Sequence, residues 1–164
     1  PAELVRRLNL LFYHNIHLTK FVTLFVARFD SQTSSLTYCN AGHNPPLMVR
    51  TRLDGNDTPV WLRPTGAAIG LVEEFQFAEE TVSLEPGDIL LFYTDGVTEA
   101  INVREEEFGL QRLVEVVQQD PNWSVQELIQ AARSRVREFT SGQVPTDDIT
   151  LVAAKLLDVG PAQS

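Results

Sequence analysis

Apolar side chains recur at helical spacing from the first residue, with Leu4, Leu8, Leu11 and Phe12 predicting an amphipathic helix over 1–19. The period then drops to that of strands. Residues 21–30 (FVTLFVARFD) are rich in β-branched and aromatic side chains, the polar run 31–35 makes a turn, and 36–40 (LTYCN) completes a β-hairpin. Pro45 and Pro46 have no N–H for a ladder, so 41–46 (AGHNPP) interrupts the strand and Leu47 to Arg50 resumes it. Asp54-Gly55-Asn56-Asp57 is a turn signal ahead of another strand at Val60 to Leu62. A further extended run covers Phe75 to Leu84 and closes at Glu85-Pro86-Gly87-Asp88. The strongly apolar Ile89 to Tyr93 (ILLFY) then predicts a central strand.

From Gly96 onward the period lengthens to about 3.6, the mark of helices. Leu110, Leu113, Val114 and Val117 form one apolar face that ends near Asp120-Pro121. Ser124 with Glu127 three residues later is a capping-box pattern, in which each side chain satisfies an orphan N–H at a helix start. The helix it opens presents Val125, Leu128, Ile129, Ala132, Val136 and Phe139 on its buried face and stops at Ser141-Gly142; Ile149 to Leu156 is the last strand. Strands, then paired helices, then a closing strand predict an α+β layered fold without internal repeats.

Composition narrows the function classes. With 164 residues and 43% hydrophobic content, the chain fits one domain with a genuine core. A net charge of −9 leaves no Lys/Arg field to neutralise phosphates, which argues against a nucleic-acid partner. An acidic domain suits divalent cations, or simply a well-solvated surface. The single cysteine, Cys39, excludes an internal disulfide. No apolar run approaches the about 20 residues of a membrane span and no signal-peptide pattern is present, so a cytoplasmic location without membrane contact is expected.

Asp95 follows the strand at 89–93, and Asp147-Asp148 precedes the strand at 149–156. If those strands are neighbours, Asp95 and one of the pair converge on one end of a sheet. Hard cations such as Mg²⁺ and Mn²⁺ take oxygen ligands and keep several waters, so aspartates at strand ends are sufficient anchors. Paired metals of this kind activate a water for in-line attack on a phosphoryl group. The competing reading makes Asp95-Gly96 a tight turn and Asp147-Asp148 a loop cap. His43 between Gly42 and Asn44-Pro45-Pro46 reads as a turn residue more readily than as a general acid, and Cys39 as a small core residue. Glu105-Glu106-Glu107 is a solvated acidic stretch, with a metal-adjacent role as the alternative.

Taken in order, FVTLFVARFD, YCNAGHNPP, LEPGDILLFYTDGVTEAIN, EEFGLQRL and TDDITLVAAK resemble the PPM-type metal-dependent protein serine/threonine phosphatase domain of the SpoIIE/RsbU branch. The resemblance implies a β-sandwich flanked by helices over residues 1–158, with 159–164 as a tail. It implies hydrolysis of phosphoserine or phosphothreonine with two or more Mn²⁺ or Mg²⁺ ions in the complete domain. By position, Asp95 resembles the metal-ligating aspartate of the T-D-G segment and Asp147 that of the D-D-I-T segment. Asp148 is the weaker candidate ligand, and Gly96 permits a close turn beside the metals. Ala41 to His43 resembles a structural hallmark, and Gly66 and Gly70 resemble turn positions. The expected substrate is a phosphorylated STAS-type anti-sigma-factor antagonist; a non-catalytic phosphatase-like binding module is the alternative. The family's upstream G-D-x-x-D and D-x-x-G-x-G segments do not occur here, so an N-terminally incomplete domain with an incomplete metal site is expected. Missing strands would leave sheet edges open, which invites homodimerisation or strand exchange.

Overall fold

Helix α1 (Ala2–Asn15) is followed by β1 (Leu24–Asp30), β2 (Ser35–Ala41), β3 (Leu47–Arg50), β4 (Thr58–Trp61), β5 (Glu80–Ser83) and β6 (Ile89–Tyr93). Three helices, α2 (Asp95–Thr98), α3 (Gly109–Val117) and α4 (Val125–Phe139), precede the closing strand β7 (Leu151–Lys155). The structure is a computed structural model that describes residues 1–15, 20–50, 58–120, 122–143 and 147–157. The expected turn at 54–57 and the domain–tail boundary at 158/159 lie outside the described residues, as do the last residues of the expected first helix. The chain divides into two units, Pro1–Pro45 with Leu62–Glu85, and Pro46–Trp61 with Pro86–Ser164. Among the described residues no helix is long and apolar enough to cross a membrane.

The first unit carries the antiparallel sheet β1-β2-β5. The predicted hairpin forms with Asp30 opposite Ser35. Its turn is held by Asp30 Oδ1, which accepts from the N–H groups of Gln32 (2.9 Å) and Thr33 (3.2 Å). Two expectations need correction. The run at 75–84 is a strand only over β5, because Phe75 and Phe77 pack on each other (centroids 5.0 Å apart) and Phe77 turns to the core of Val5, Cys39, Ala41 and Ile69. In α1, Leu4 and Leu11 are 51% and 58% exposed, whereas Val5 and Asn9 are buried with Leu8 and Phe12 packed beside them. A polar residue wins that face because neighbouring backbone groups need it. Asn9 Nδ2 donates to the carbonyls of Val72 and Glu73 (both 2.9 Å), and its Oδ1 accepts from Gly70 N–H (2.8 Å).

Asn40, fully buried at the end of β2, ties together three parts of this unit. Its Nδ2 donates to Leu62 O (3.0 Å), its Oδ1 accepts from His43 N–H (2.8 Å), and its own N–H donates to Thr65 Oγ1 (3.0 Å). The Asn40 carbonyl accepts from Thr65 and Gly66. Beside it, Gly42 adopts φ +69°, and a Cβ there would meet Ala68 N at 2.9 Å, which explains why glycine follows Ala41.

The second unit carries the antiparallel sheet β4-β3-β6-β7. The strand after Pro45-Pro46 therefore does not resume the earlier one; β2 and β3 belong to different sheets, and the prolines mark the change. As predicted, β6 is interior, between β3 and β7. Leu47, Val49, Ile89, Leu91 and Tyr93 pack with Val97, Phe108, Leu113, Leu128, Ala132 and Val136 into one core. Each fully buried aliphatic side chain there contributes about 1.5–3 kcal/mol. The capping box is present: Glu127 N–H donates to Ser124 Oγ (3.2 Å) and Ser124 N–H to Glu127 Oε2 (2.8 Å). Asp88, the last residue of the turn expected at 85–88, is buried and bonded by Arg50 (Nη2 to Oδ2, 3.0 Å).

Asn40→Ala removes the partner of the buried Leu62 carbonyl and of the half-buried His43 N–H, and should lower unfolding stability by about 1–3 kcal/mol in a denaturant titration. Tyr38 is buried against Phe25 with its hydroxyl donating to Glu80, and burial first, then that contact, raises its pKa above the ordinary value. The unfolded chain therefore loses the phenolic proton first as pH rises. Stability should hold below about pH 10 and decline above it, more shallowly in Tyr38→Phe, when unfolding is followed across that range.

Candidate metal centre

The antiparallel register that sets Tyr93 opposite Leu151 continues past both strands. Thr94 N–H donates to the Thr150 carbonyl (3.2 Å), and Thr150 N–H donates to Thr94 Oγ1 (3.0 Å). The same hydroxyl donates to the Asp148 carbonyl (2.8 Å). Because β6 enters this end and β7 leaves it, Asp95 and Asp147-Asp148 lie at one end of the same sheet, as the strand pattern anticipated.

Gly96 closes the contact. It is buried, and a Cβ built on it would lie 2.6 Å from the Asp148 carbonyl oxygen and 3.3 Å from the Asp147 carbonyl carbon. Neither neighbour is the end of a flexible side chain, so only glycine allows the two turns this approach. Asp95 is the first residue of α2, a single helical turn, rather than part of a simple strand-to-loop turn. Its Oδ1 accepts from Gly96 N–H (3.0 Å), and Asp147 Oδ1 accepts from Asp148 N–H (2.7 Å). All three aspartates are exposed.

Exposed carboxylates at one sheet end have the donor chemistry of a hard, water-retaining cation, which binds through one or two carboxylates plus substrate oxygens. Among the described residues, no group of three or more His, Cys, Asp or Glu side chains is placed to hold a metal ion. The aspartates thus fit an anchor for such an ion rather than a closed cage.

The other sequence candidates take structural places. His43 is half-buried, and its Nδ1 lies 3.2 Å from Thr23 Oγ1. Cys39 is fully buried, with burial raising its thiol pKa, which is the state of an inert core residue. Glu105 sits at a loop tip with φ +61°, and Glu106 pairs with Arg104 (2.9 Å) while accepting from buried Asn102 (2.7 Å). Asn102 Oδ1 also accepts from the N–H groups of Arg104 and Glu106, so this acidic loop is wound around an asparagine that the sequence pattern did not single out. Thr94 was missed as well; its signal was a hydroxyl residue directly before Asp-Gly at a strand end. The Tyr93 hydroxyl is buried without a hydrogen-bond partner among the described residues, and burial pushes its pKa up to about 12.

A family model described as Stage II sporulation protein E (SpoIIE) matches residues 1–157. The chain is 33% identical over 137 residues to Protein IcfG of Synechocystis, covering 83% of this chain and 21% of that protein. It is 26% identical over 157 residues to phosphoserine phosphatase RsbU of Bacillus subtilis, covering 94% of this chain and 45% of RsbU. The chain therefore spans less than half the length of these two relatives. Among solved structures, the SiaA-PP2C domain of Pseudomonas aeruginosa superposes with a TM-score of 0.81 at 18% identity, covering 95% of this chain and 61% of that one. The Mn-presoaked phosphatase domain of SpoIIE from Bacillus subtilis gives 0.64 at 21% identity, covering 96% and 66%. RsbX in complex with magnesium gives 0.62 at 14%, covering 94% and 63%. At these identities the superpositions establish a shared PP2C-type fold, including the α+β architecture read from the sequence.

Gly96→Ala should force the two turns apart and destabilise the protein by about 1–3 kcal/mol, read as a lower thermal midpoint.

Proposed function

The chain belongs to the SpoIIE family of PPM-type serine phosphatases, and from that membership we propose that its complete domain hydrolyses phosphoserine or phosphothreonine on a regulatory protein with Mn²⁺ or Mg²⁺, while the chain without the family's G-D-x-x-D and D-x-x-G-x-G segments is inactive or nearly so. The observation that carries this reading is the pairing of the T-D-G and D-D-I-T segments across β6 and β7, which gathers Asp95 and Asp147 at one end of a sheet. In it, Asp95 and Asp147 hold the cation, Asp148 is the weaker ligand, and Gly96 allows the two segments their close approach. The bound ions, two or more in the complete domain, supply an activated water and neutralise phosphoryl charge. The manganese soaked into the SpoIIE domain and the magnesium bound to RsbX support that choice of metal for their relative.

The substrate proposed is a phosphorylated STAS-type anti-sigma-factor antagonist in a cytoplasmic partner-switching pathway, with residues 1–158 forming the phosphatase segment. Support comes from the likeness to RsbU, a phosphoserine phosphatase by name. A second reading, a phosphatase-like module that binds its partner without turnover, draws on the lack of a three-ligand group among the described residues.

Hydrolysis of p-nitrophenyl phosphate and of a phosphoserine peptide separates the two. The enzyme reading expects Mn²⁺-dependent release of phosphate from a form that also carries the family's G-D-x-x-D and D-x-x-G-x-G segments, little or none from residues 1–164 alone, and a loss of at least about 100-fold in the extended form with Asp95→Asn or Asp147→Asn. Absence of metal-dependent release from both forms, with binding of the phosphopeptide, selects the binding module.

A further inference from the structure

We propose that Thr94 is a positioning residue that sets the spacing of the two metal-anchoring turns, an inference that rests on the metal-dependent reading above. One hydroxyl both donates and accepts. At Thr94 it gives its proton to the Asp148 carbonyl (2.8 Å) and receives the Thr150 N–H (3.0 Å). This happens where backbone pairing between β6 and β7 gives out, so the side chain stands in for the missing ladder partner. The residues it grips are the second aspartate of the D-D pair and the threonine two positions after it, and Thr94 itself directly precedes Asp95. Gly96 leaves no room between the turns, since a Cβ built on it would lie 2.6 Å from the Asp148 carbonyl oxygen. Steric contact sets the minimum separation, and the Thr94 hydroxyl prevents the turns from drifting outward.

Valine has the shape of threonine without the hydroxyl, and serine keeps the hydroxyl without the methyl. Mn²⁺ binding, followed by loss of the free-ion electron paramagnetic resonance signal, is measured for the chain and for Thr94→Val, Thr94→Ser and Asp95→Asn, with metal-free thermal midpoints alongside. Thr94→Val should weaken Mn²⁺ binding about tenfold or more, while Thr94→Ser stays within about threefold of the parent, the scale on which residues supporting a metal ligand act. Asp95-dependent binding that Thr94→Val leaves unchanged overturns the role of Thr94 alone. Equal weakening by Val and Ser also overturns it, since the hydroxyl is then not the cause. Absence of Asp95-dependent binding in the parent overturns the metal reading and this inference with it. If Thr94→Val does not fold, Thr94→Ala carries the same expectation. Failure of both to fold while Thr94→Ser folds makes the hydroxyl a fold determinant and overturns the positioning role.

Discussion

Antiparallel pairing of β6 with β7 joins residues that are far apart in the chain, with Thr94 and Thr150 in contact across 56 positions. Every feature of the candidate metal centre depends on that pairing. Asp95 and Asp147-Asp148 have no local reason to meet; the ladder brings the end of one strand to the start of the other, and their turns follow. The contact tolerates little variation in side chain, because a carbonyl of one turn occupies the space that a Cβ on Gly96 would need.

The ladder is in turn held by the core beneath it. Ile89, Leu91 and Tyr93 alternate along β6 toward the layer built by α3 and α4, where Leu113, Leu128, Ala132 and Val136 are all but fully buried. Apolar burial on this scale, rather than the exposed ion pairs, supplies the favourable free energy of this unit. A deeply placed ion pair, Arg50 with Asp88, lies at the other end of β6, just before its first residue. Asp88 also offers its carbonyl to Leu156 N–H (2.9 Å), so the far end of the β6–β7 ribbon is closed as well. The aspartates proposed to bind metal can therefore stay exposed and hydrated, because their positions are fixed by backbone rather than by their own burial.

Polar side chains inside the first unit show a different economy of structure. Asn9 and Asn40 are buried, yet each has its amide spent on backbone groups of loops that would otherwise be left unpaired. Such asparagines convert irregular segments into fixed ones. They look like ordinary polar residues in a one-dimensional reading, and Asn9 even falls within a run where leucines invite the opposite orientation of the helix.

What the sequence determined by itself is whatever depends on neighbours in the chain. The hairpin at 24–41, the interior character of Ile89 to Tyr93, the Ser124–Glu127 capping box and the α4 face of Leu128, Ala132 and Val136 all follow from period, turn chemistry and caps. The ordered motifs also carried the family, and with it the candidate aspartates. Tertiary structure decided the rest. Leu4 and Leu11 point outward because the carbonyls of Val72 and Glu73 claim Asn9. Phe77 leaves the extended run because a core, not a ladder, receives it, and Phe75 packs on its ring. The chain changes sheets between β2 and β3, which a proline pair can mark but not direct. Thr94 acquires its place only when Asp148 and Thr150 arrive from 54 and 56 positions away. Contacts of that range are set by the summed burial of whole elements, and local propensity contains no term for them.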